Sequence, residues 1–131
     1  MKTGNLQRRW SEVRPPVYDK ETRYVCLDIV NETQVVDEVE VQGFSYIQIQ
    51  IDPLIYYGHI KSQLIEAGFA QKDEFGLLMN VVDSILDAAS NAGSWSAFKN
   101  ALDTDDVNDF KEFCQFRAMC AQAAHEVMSH Y

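Results

Sequence analysis

Apolar and polar residues alternate with a period of two through most of the stretch 34–51. Valine and isoleucine take odd positions, and glutamate and glutamine take even ones; the odd set is Val39, Val41, Ile47, Ile49 and Ile51. A two-residue period places one face of a β-sheet in a core and the other in water. The segment Arg23–Val30 alternates in the same way. The first half of the chain therefore predicts a sheet.

Three strands are predicted, at Arg23–Val30, Val35–Gln42 and Tyr46–Ile51. Turn-forming residues separate them at 31–33 and at 43–45. An antiparallel meander that pairs position 41 with 47 and position 27 with 39 keeps the apolar side chains on one face. One long strand through Gly43 is the alternative, because the odd positions stay in phase across that glycine.

From Asp52 onward the apolar spacing becomes helical. Asp52 and Pro53 predict the start of a helix that Gly68 ends. A second helix is expected from Asp73 to Gly93. Its predicted core face is Leu78, Val81, Val82, Ile85 and Ala89. A short third helix capped by Ser94 carries Trp95, Phe98 and Leu102. The fourth runs over about 105–130 with the stripe Phe110, Phe113, Cys114, Ala121, Ala124, Val127 and Met128.

The order of these elements predicts an α+β fold in two layers. An N-terminal three-stranded antiparallel meander is packed by three to four C-terminal helices, which cover the odd-numbered sheet face. Residues 1–22 are expected to form a basic extended arm, since Pro15-Pro16 favours extended backbone there. Residues 23–131 are expected to form one domain.

Charge divides the chain in the same place. The net charge is −9: residues 1–23 carry six basic and three acidic groups, about +3, and residues 24–131 carry five basic and seventeen acidic groups, about −12. An acidic body disfavours nucleic-acid binding except through the arm. No apolar run has the roughly 20 residues of a membrane span, so a soluble, cytoplasmic protein without membrane contact is expected.

The arm carries one tryptophan among arginines, namely Trp10 with Arg8, Arg9 and Arg14. Such a group can anchor a protein partner or form an aromatic site in a basic nucleic-acid patch. Alternatively, Trp10 folds back on the edge of its own domain or of a second copy. The sequence leaves these readings open.

Candidate chemical sites fail on spacing. A calcium loop counted from Asp103 would need Gly at 108 and Glu at 114, where the chain has Asn108 and Cys114. Carboxylates in the first turn of a helix explain this acidic cluster. Cys114 and His125 share a helix face, but they lie about 16 Å apart, too far to ligate one zinc ion. We expect no metal, no cofactor and no enzymatic activity.

Two surfaces remain as interaction candidates. Arg117 falls within the apolar stripe of the last helix, so it either pairs internally, extends to solvent or faces another subunit. The even sheet face with Tyr46, Gln48 and Gln50 is either solvated or a recognition surface.

The sequence thus favours a small non-enzymatic protein that acts through protein–protein association, as a homo-oligomer with an accessory or assembly role of mobile-element or phage type. An acidic inhibitor or nucleic-acid mimic that occupies a basic cleft is the alternative. Nucleic-acid binding through the arm is a weaker one.

Overall fold

Two long antiparallel strands form the centre of the fold. The computed structural model describes residues 6–69, 71–91, 93–101 and 104–131. Its strands are β1 (Arg9–Ser11), β2 (Tyr18–Asp19), β3 (Tyr24–Val36) and β4 (Val39–Gln50), in the sheet order β1-β4-β3-β2 with all neighbours antiparallel. Its helices are α1 (Tyr57–Gly68), α2 (Gln71–Asn91), α3 (Trp95–Ala101) and α4 (Thr104–Met128). The predicted α+β class is confirmed.

The connection between β3 and β4 differs from the predicted meander. The chain turns at Asp37 and Glu38, which have φ values of 51° and 66°, as in a two-residue hairpin turn with both central residues left-handed. The predicted turns at 31–33 and 43–45 are wrong. The alternative of one long strand through Gly43 is correct, because β4 continues through that glycine. The predicted pairings are also wrong, because Leu27 lies opposite Ile47.

A β-bulge changes which residues of β3 face the core. Leu27 pairs with Ile47 and Val30 pairs with Ser45, so Asp28 and Ile29 together oppose Tyr46. Asp28 has a φ of 50°, the kind of conformation that an extra residue in a strand adopts. Odd residues of β3 therefore face the core before the bulge, and even residues share that face after it.

The core lies between the proximal half of this sheet and helices α1 and α4. Ile47 and Val25 are fully buried on the sheet side, as are Ile60 and Leu64 on α1 and Phe116 on α4. The buried face of α4 also includes Cys120 and Ala123, whereas Cys114, which belongs to the predicted stripe, is exposed. The buried stripe of α4 is rotated relative to the predicted one, since Phe116 rather than Cys114 contacts the ring of Phe69.

Helix α1 begins later than Asp52-Pro53 predicts. Tyr56 precedes its first residue in an extended conformation and makes no side-chain cap. The Asp52 carboxylate instead accepts a hydrogen bond from Gln63 Nε2 at 2.8 Å, and the Asp52 amide donates to Gln63 Oε1 at 2.9 Å. The predicted N-cap is therefore wrong, since Asp52 contacts the side of the helix. At the other end Phe69, in extended conformation, follows Gly68 as the C-cap. Ser94 does cap α3 through the amide of Ala97, while Leu102 lies outside the described residues.

The segment predicted to be a free arm contributes both edge strands. β1 pairs with β4, and β2 pairs with β3 at the opposite edge. The connecting residues 12–17 cross the even sheet face, where Pro15 and Pro16 lie beside Cys26 and Gln48. At the end of this path the Tyr18 hydroxyl hydrogen-bonds the Tyr131 hydroxyl at 2.7 Å. Burial of Tyr18 is the main cause that raises its pKa to about 12, and this hydrogen bond is the second.

Substitution of Gly43 tests how the N-terminal segment is held. A Cβ atom at Gly43 would lie 2.5 Å from Trp10 Cζ2 and 2.6 Å from the Ser11 carbonyl oxygen. We expect Gly43→Ala to lower the free energy of unfolding by about 1–3 kcal/mol through overpacking. In a Trp95→Phe background, it should also shift the emission of Trp10 towards that of a solvated indole. Denaturant titration followed by fluorescence measures both effects.

Gly58→Ala is the matched control, because a Cβ atom there meets nothing within 4 Å. This substitution in α1 should leave stability unchanged or slightly raised. Equal stability of the two variants would contradict the packing of Trp10 on Gly43.

Candidate protein interaction surface

Helix α2 carries an apolar stripe that points away from the core. At about 100° per residue its members span an arc of about 120°. We call this set the α2 stripe, and its members are Phe75, Leu78, Met79, Val82, Ile85, Leu86 and Ala89. Five of these are large exposed side chains, with Phe75 at 64% and Leu86 at 59% of full exposure. A row of exposed large apolar residues on one helix indicates a surface that contacts another molecule.

The opposite side of α2 makes the contact with α4. Ala88 and Ser84 are buried, and Leu77 packs against the core. Ser84 Oγ donates a hydrogen bond to Asp106 Oδ2 of α4 at 3.0 Å. The core face predicted for this helix is therefore wrong at Leu78 and Ile85, which are exposed. A helix that is apolar over much of its circumference offers two faces, and α4 covers the less apolar one.

Helix α3 adds an aromatic group next to α2. Trp95 is 71% exposed, and its ring stacks on that of Phe98 with centroids 5.5 Å apart and an interplanar angle of 20°. Tryptophan contributes more binding free energy at protein interfaces than most residue types. Helix α3 thus adds an exposed aromatic side chain to those of α2.

A groove between α2 and α4 borders the α2 stripe at its N-terminal end. Its volume is about 290 Å³, and its lining is Glu74, Phe75, Leu78, Phe110, Phe113, Cys114 and Arg117. The groove combines aromatic side chains with one guanidinium group and one carboxylate. These are the residue types that form a mixed apolar and charged interface.

Arg117 lies at the edge of this groove. Its Nη1 is 3.5 Å from Glu74 Oε1, and its guanidinium carbon is 6.0 Å from the centre of the Phe113 ring. Its side chain is half exposed, because the buried face of α4 is centred on Phe116 and Cys120. Arg117, for which the sequence allowed an internal pair, a solvent-exposed side chain or a subunit contact, therefore lies beside Glu74 and the α2 stripe.

The arginines selected in the N-terminal segment contact their own chain. Arg8 donates to Asp28 Oδ2 at 2.8 Å and to Ser45 Oγ at 2.6 Å. The guanidinium of Arg14 lies 5.8 Å from the centre of the Phe44 ring. Arg9, opposite Tyr46 in β1, is exposed. Two of these three cations are thus already engaged within the molecule.

Trp10 also contacts its own chain. Its Nε1 donates to the carbonyl oxygen of Glu32 at 2.9 Å, and its ring lies over Gly43. The ring is half-buried. Its remaining surface lies at the base of the distal half of the β3–β4 hairpin.

The even sheet face is largely covered by residues 12–17. Tyr46 is buried, Gln48 is half-buried, and the exposed Gln50 donates from Nε2 to the carbonyl oxygen of Thr22. Tyr46 is therefore not accessible to a partner. Its burial could not be predicted, because nothing in the sequence indicates that residues 12–17 cross this face.

Potential metal ligands do not cluster in the described part of the chain. No group of three or more His, Cys, Asp or Glu residues within the described ranges could hold a metal ion. Asp105 and Asp106 lie in the first turn of α4, as the dipole explanation of the acidic cluster expects. His59 contacts Asp52 at 3.2 Å and Gln63, both on the surface. None of the helices built from described residues is long and apolar enough to cross a membrane.

The α2 stripe was not predicted to be an exposed surface. Phe75, Met79 and Leu86 were not selected, although the spacing of residues 75, 78, 82, 85 and 89 is the alternating three and four of helices that pack against like helices. That spacing is the signal that could have identified the α2 stripe.

The chain was compared with protein-family models, with curated proteins and with solved structures, and no match was found in any of the three. The contacts and exposure described above therefore carry the functional interpretation.

Thiol labelling tests the orientation of α4. Cys26 and Cys120 are buried, and burial raises the pKa of both thiols, that of Cys120 to about 12. Cys114 is exposed in the groove. We expect one thiol per native chain to react rapidly with a chromogenic disulfide reagent at neutral pH, and all three to react after unfolding.

Cys114→Ser should abolish the rapid reaction, and Cys26→Ser should leave it unchanged. Rapid reaction of Cys120 in the folded protein, seen as a second reactive thiol that Cys26→Ser does not remove, would show that α4 presents a different face to the core.

Proposed function

We propose that this protein is a non-enzymatic assembly protein whose α2 stripe binds the α2 stripe of a second copy. The single observation that carries the proposal is the stripe itself, an uncharged arc of about 120° with five exposed large side chains. A two-fold dimer requires only one surface that complements itself. The accessory or assembly role rests on this association.

The spacing within the stripe supports a like helix as the occupant. Residues 75, 78, 82, 85 and 89 provide the alternating three- and four-residue steps that let side chains of one helix fit between those of another. No charged residue interrupts the arc, so two copies can meet there without burying an unpaired charge. The groove with Arg117 and Glu74 lies at the rim, where a guanidinium group retains access to solvent.

Two other occupants fit the stripe less well. Helices that lie on lipid surfaces carry lysine and arginine on their polar side, whereas α2 has four carboxylates and one lysine in its sequence. An acidic mimic uses its charged surface, and it would leave an apolar stripe of this size in water. The same argument disfavours the inhibitor alternative.

The test is the molar mass of the full-length chain, measured by light scattering after size exclusion. The wild type should form a dimer or larger oligomer that persists at high salt, since apolar contacts are not screened. Phe75→Gln with Leu86→Gln should weaken a dimer by about 4 kcal/mol, roughly a thousandfold in its dissociation constant, because four half-exposed side chains lose about 1 kcal/mol each.

Leu54→Gln is the matched control. Leu54 is also about half exposed but lies outside the helices, so this change should leave the mass unaltered. Cys114 provides a second readout, because its labelling should slow as protein concentration rises. A wild-type monomer at every concentration, or a double variant with the wild-type mass, would refute the proposal.

A further inference from the structure

The distal half of the β3–β4 hairpin extends beyond the helices. We call residues 30–42 the ribbon. Every residue from Val30 to Glu40 is exposed, with Val35 at 69% and Val39 at 60% of full exposure. A two-stranded hairpin is marginally stable alone in water. A ribbon of this length with exposed valines therefore gains stability from any strand that adds to it.

One face of the ribbon carries four valines together with Glu32 and Gln34. The pairing register puts Val30 and Val36 of β3 on the same face as Val39 and Val41 of β4. The ring of Trp10 lies on this face at its base, over Gly43. Asn31, Thr33, Val35, Glu40 and Gln42 occupy the other face. The ribbon thus presents the half-apolar pattern of a strand that belongs to a larger sheet.

The outer edge of β3 is open along the ribbon. β2 pairs only with Tyr24 and Val25, and no strand within the described residues pairs with the outer edge of β3 beyond them. Exposed edges are usually protected by lysine, proline or a covering element. The segment Val30–Val36 contains neither lysine nor proline. The backbone amides and carbonyls of this segment that point away from β4 are therefore available to another strand.

Charge identifies the kind of strand that fits. The ribbon contains Glu32, Asp37, Glu38 and Glu40 and no basic residue. Two such ribbons repel each other, so a second copy is a poor occupant of this edge. The groove of about 300 Å³ that continues the edge is lined by Glu126, by Arg14 and by Asp28, whose carboxylate is paired with Arg8.

We propose that the β3 edge from Val30 to Val36 accepts an extended basic segment of a partner protein as an added strand. Backbone hydrogen bonds would supply affinity, and alternate side chains would supply specificity. On the face that carries Val30 and Val36, the added strand meets Val30, Glu32, Gln34 and Val36 in turn. The segment should therefore carry apolar residues at the two ends of this face and a lysine or arginine next to Glu32.

A synthetic peptide tests the proposal directly. The probe is Val-Thr-Lys-Thr-Lys-Thr-Val, which presents the same face in either strand direction. Calorimetric titration into the full-length chain should show binding, and hydrogen exchange should show protection confined to residues 30–36. A peptide of the same sequence with alternate backbone amides methylated keeps its charge but cannot pair as a strand, so it should not bind.

Glu32→Lys should weaken binding of the probe about tenfold, because an attractive cross-strand pair becomes a repulsive one. Glu66→Lys is the control, since Glu66 is exposed on α1 and the change in net charge is the same. Both variants should keep the wild-type circular dichroism spectrum.

Three outcomes would overturn the proposal: no binding of the lysine peptide, equal binding of the methylated peptide, or equal weakening by Glu66→Lys. A change in the protein's own oligomeric mass on Glu32→Lys would also overturn it, by making the ribbon a self-association element. The α2 double variant should bind the probe as the wild type does, so failure of this proposal is distinguishable from failure of the assembly proposal.

Discussion

The pairing of β3 with β4 is the interaction on which the other contacts depend. The valines and isoleucines of β4 stay on one face along its whole length. A single strand therefore supplies Ile47 and Ile49 to the core and Val39 and Val41 to the ribbon. The bulge at Asp28 preserves this arrangement, because it brings Val30 onto the same face despite its even number. Helices cover only the proximal half, and the N-terminal strands attach to the two edges there. A single hairpin thus supports both the packed body and an exposed extension.

The fold class was predictable from local patterns, and the strand connections were not. The two-residue period of β4 and the helical spacing beyond it depend only on which side of an element is buried. The turn at Asp37 and Glu38 lacks glycine and asparagine, the residues that most readily adopt positive φ. Gly43, which resembled a turn, is instead required by the close approach of the Trp10 ring. Only the three-dimensional contact separates these two uses of glycine.

The candidate surface was predictable in part for a related reason. Helical spacing marked Arg117 as unusual, and the structure places it beside the α2 stripe. The stripe itself resembles an ordinary core face, because a pattern of Leu78, Val82 and Ile85 is the same whether the chain's own helix or another molecule covers it. Ala88 and Ser84 determine which face of α2 packs on α4, because their small side chains allow the two helices to approach closely. Sequence periodicity identifies an apolar face but not its occupant.

The long reach of the N-terminal contacts has a consequence for how two chains meet. Tyr18 and Tyr131 lie 113 residues apart in sequence, yet their hydroxyl groups are hydrogen-bonded to each other. The segment that carries Tyr18 is synthesised well before Tyr131, so it is among the last to complete its contacts, and such distant contacts form slowly. Two chains folding side by side can each accept the other's β1 and β2 with the same set of bonds. Exchange of β1 and β2 during synthesis is thus a route to dimers. Each exchanged contact would keep its chemistry but would join two chains instead of one.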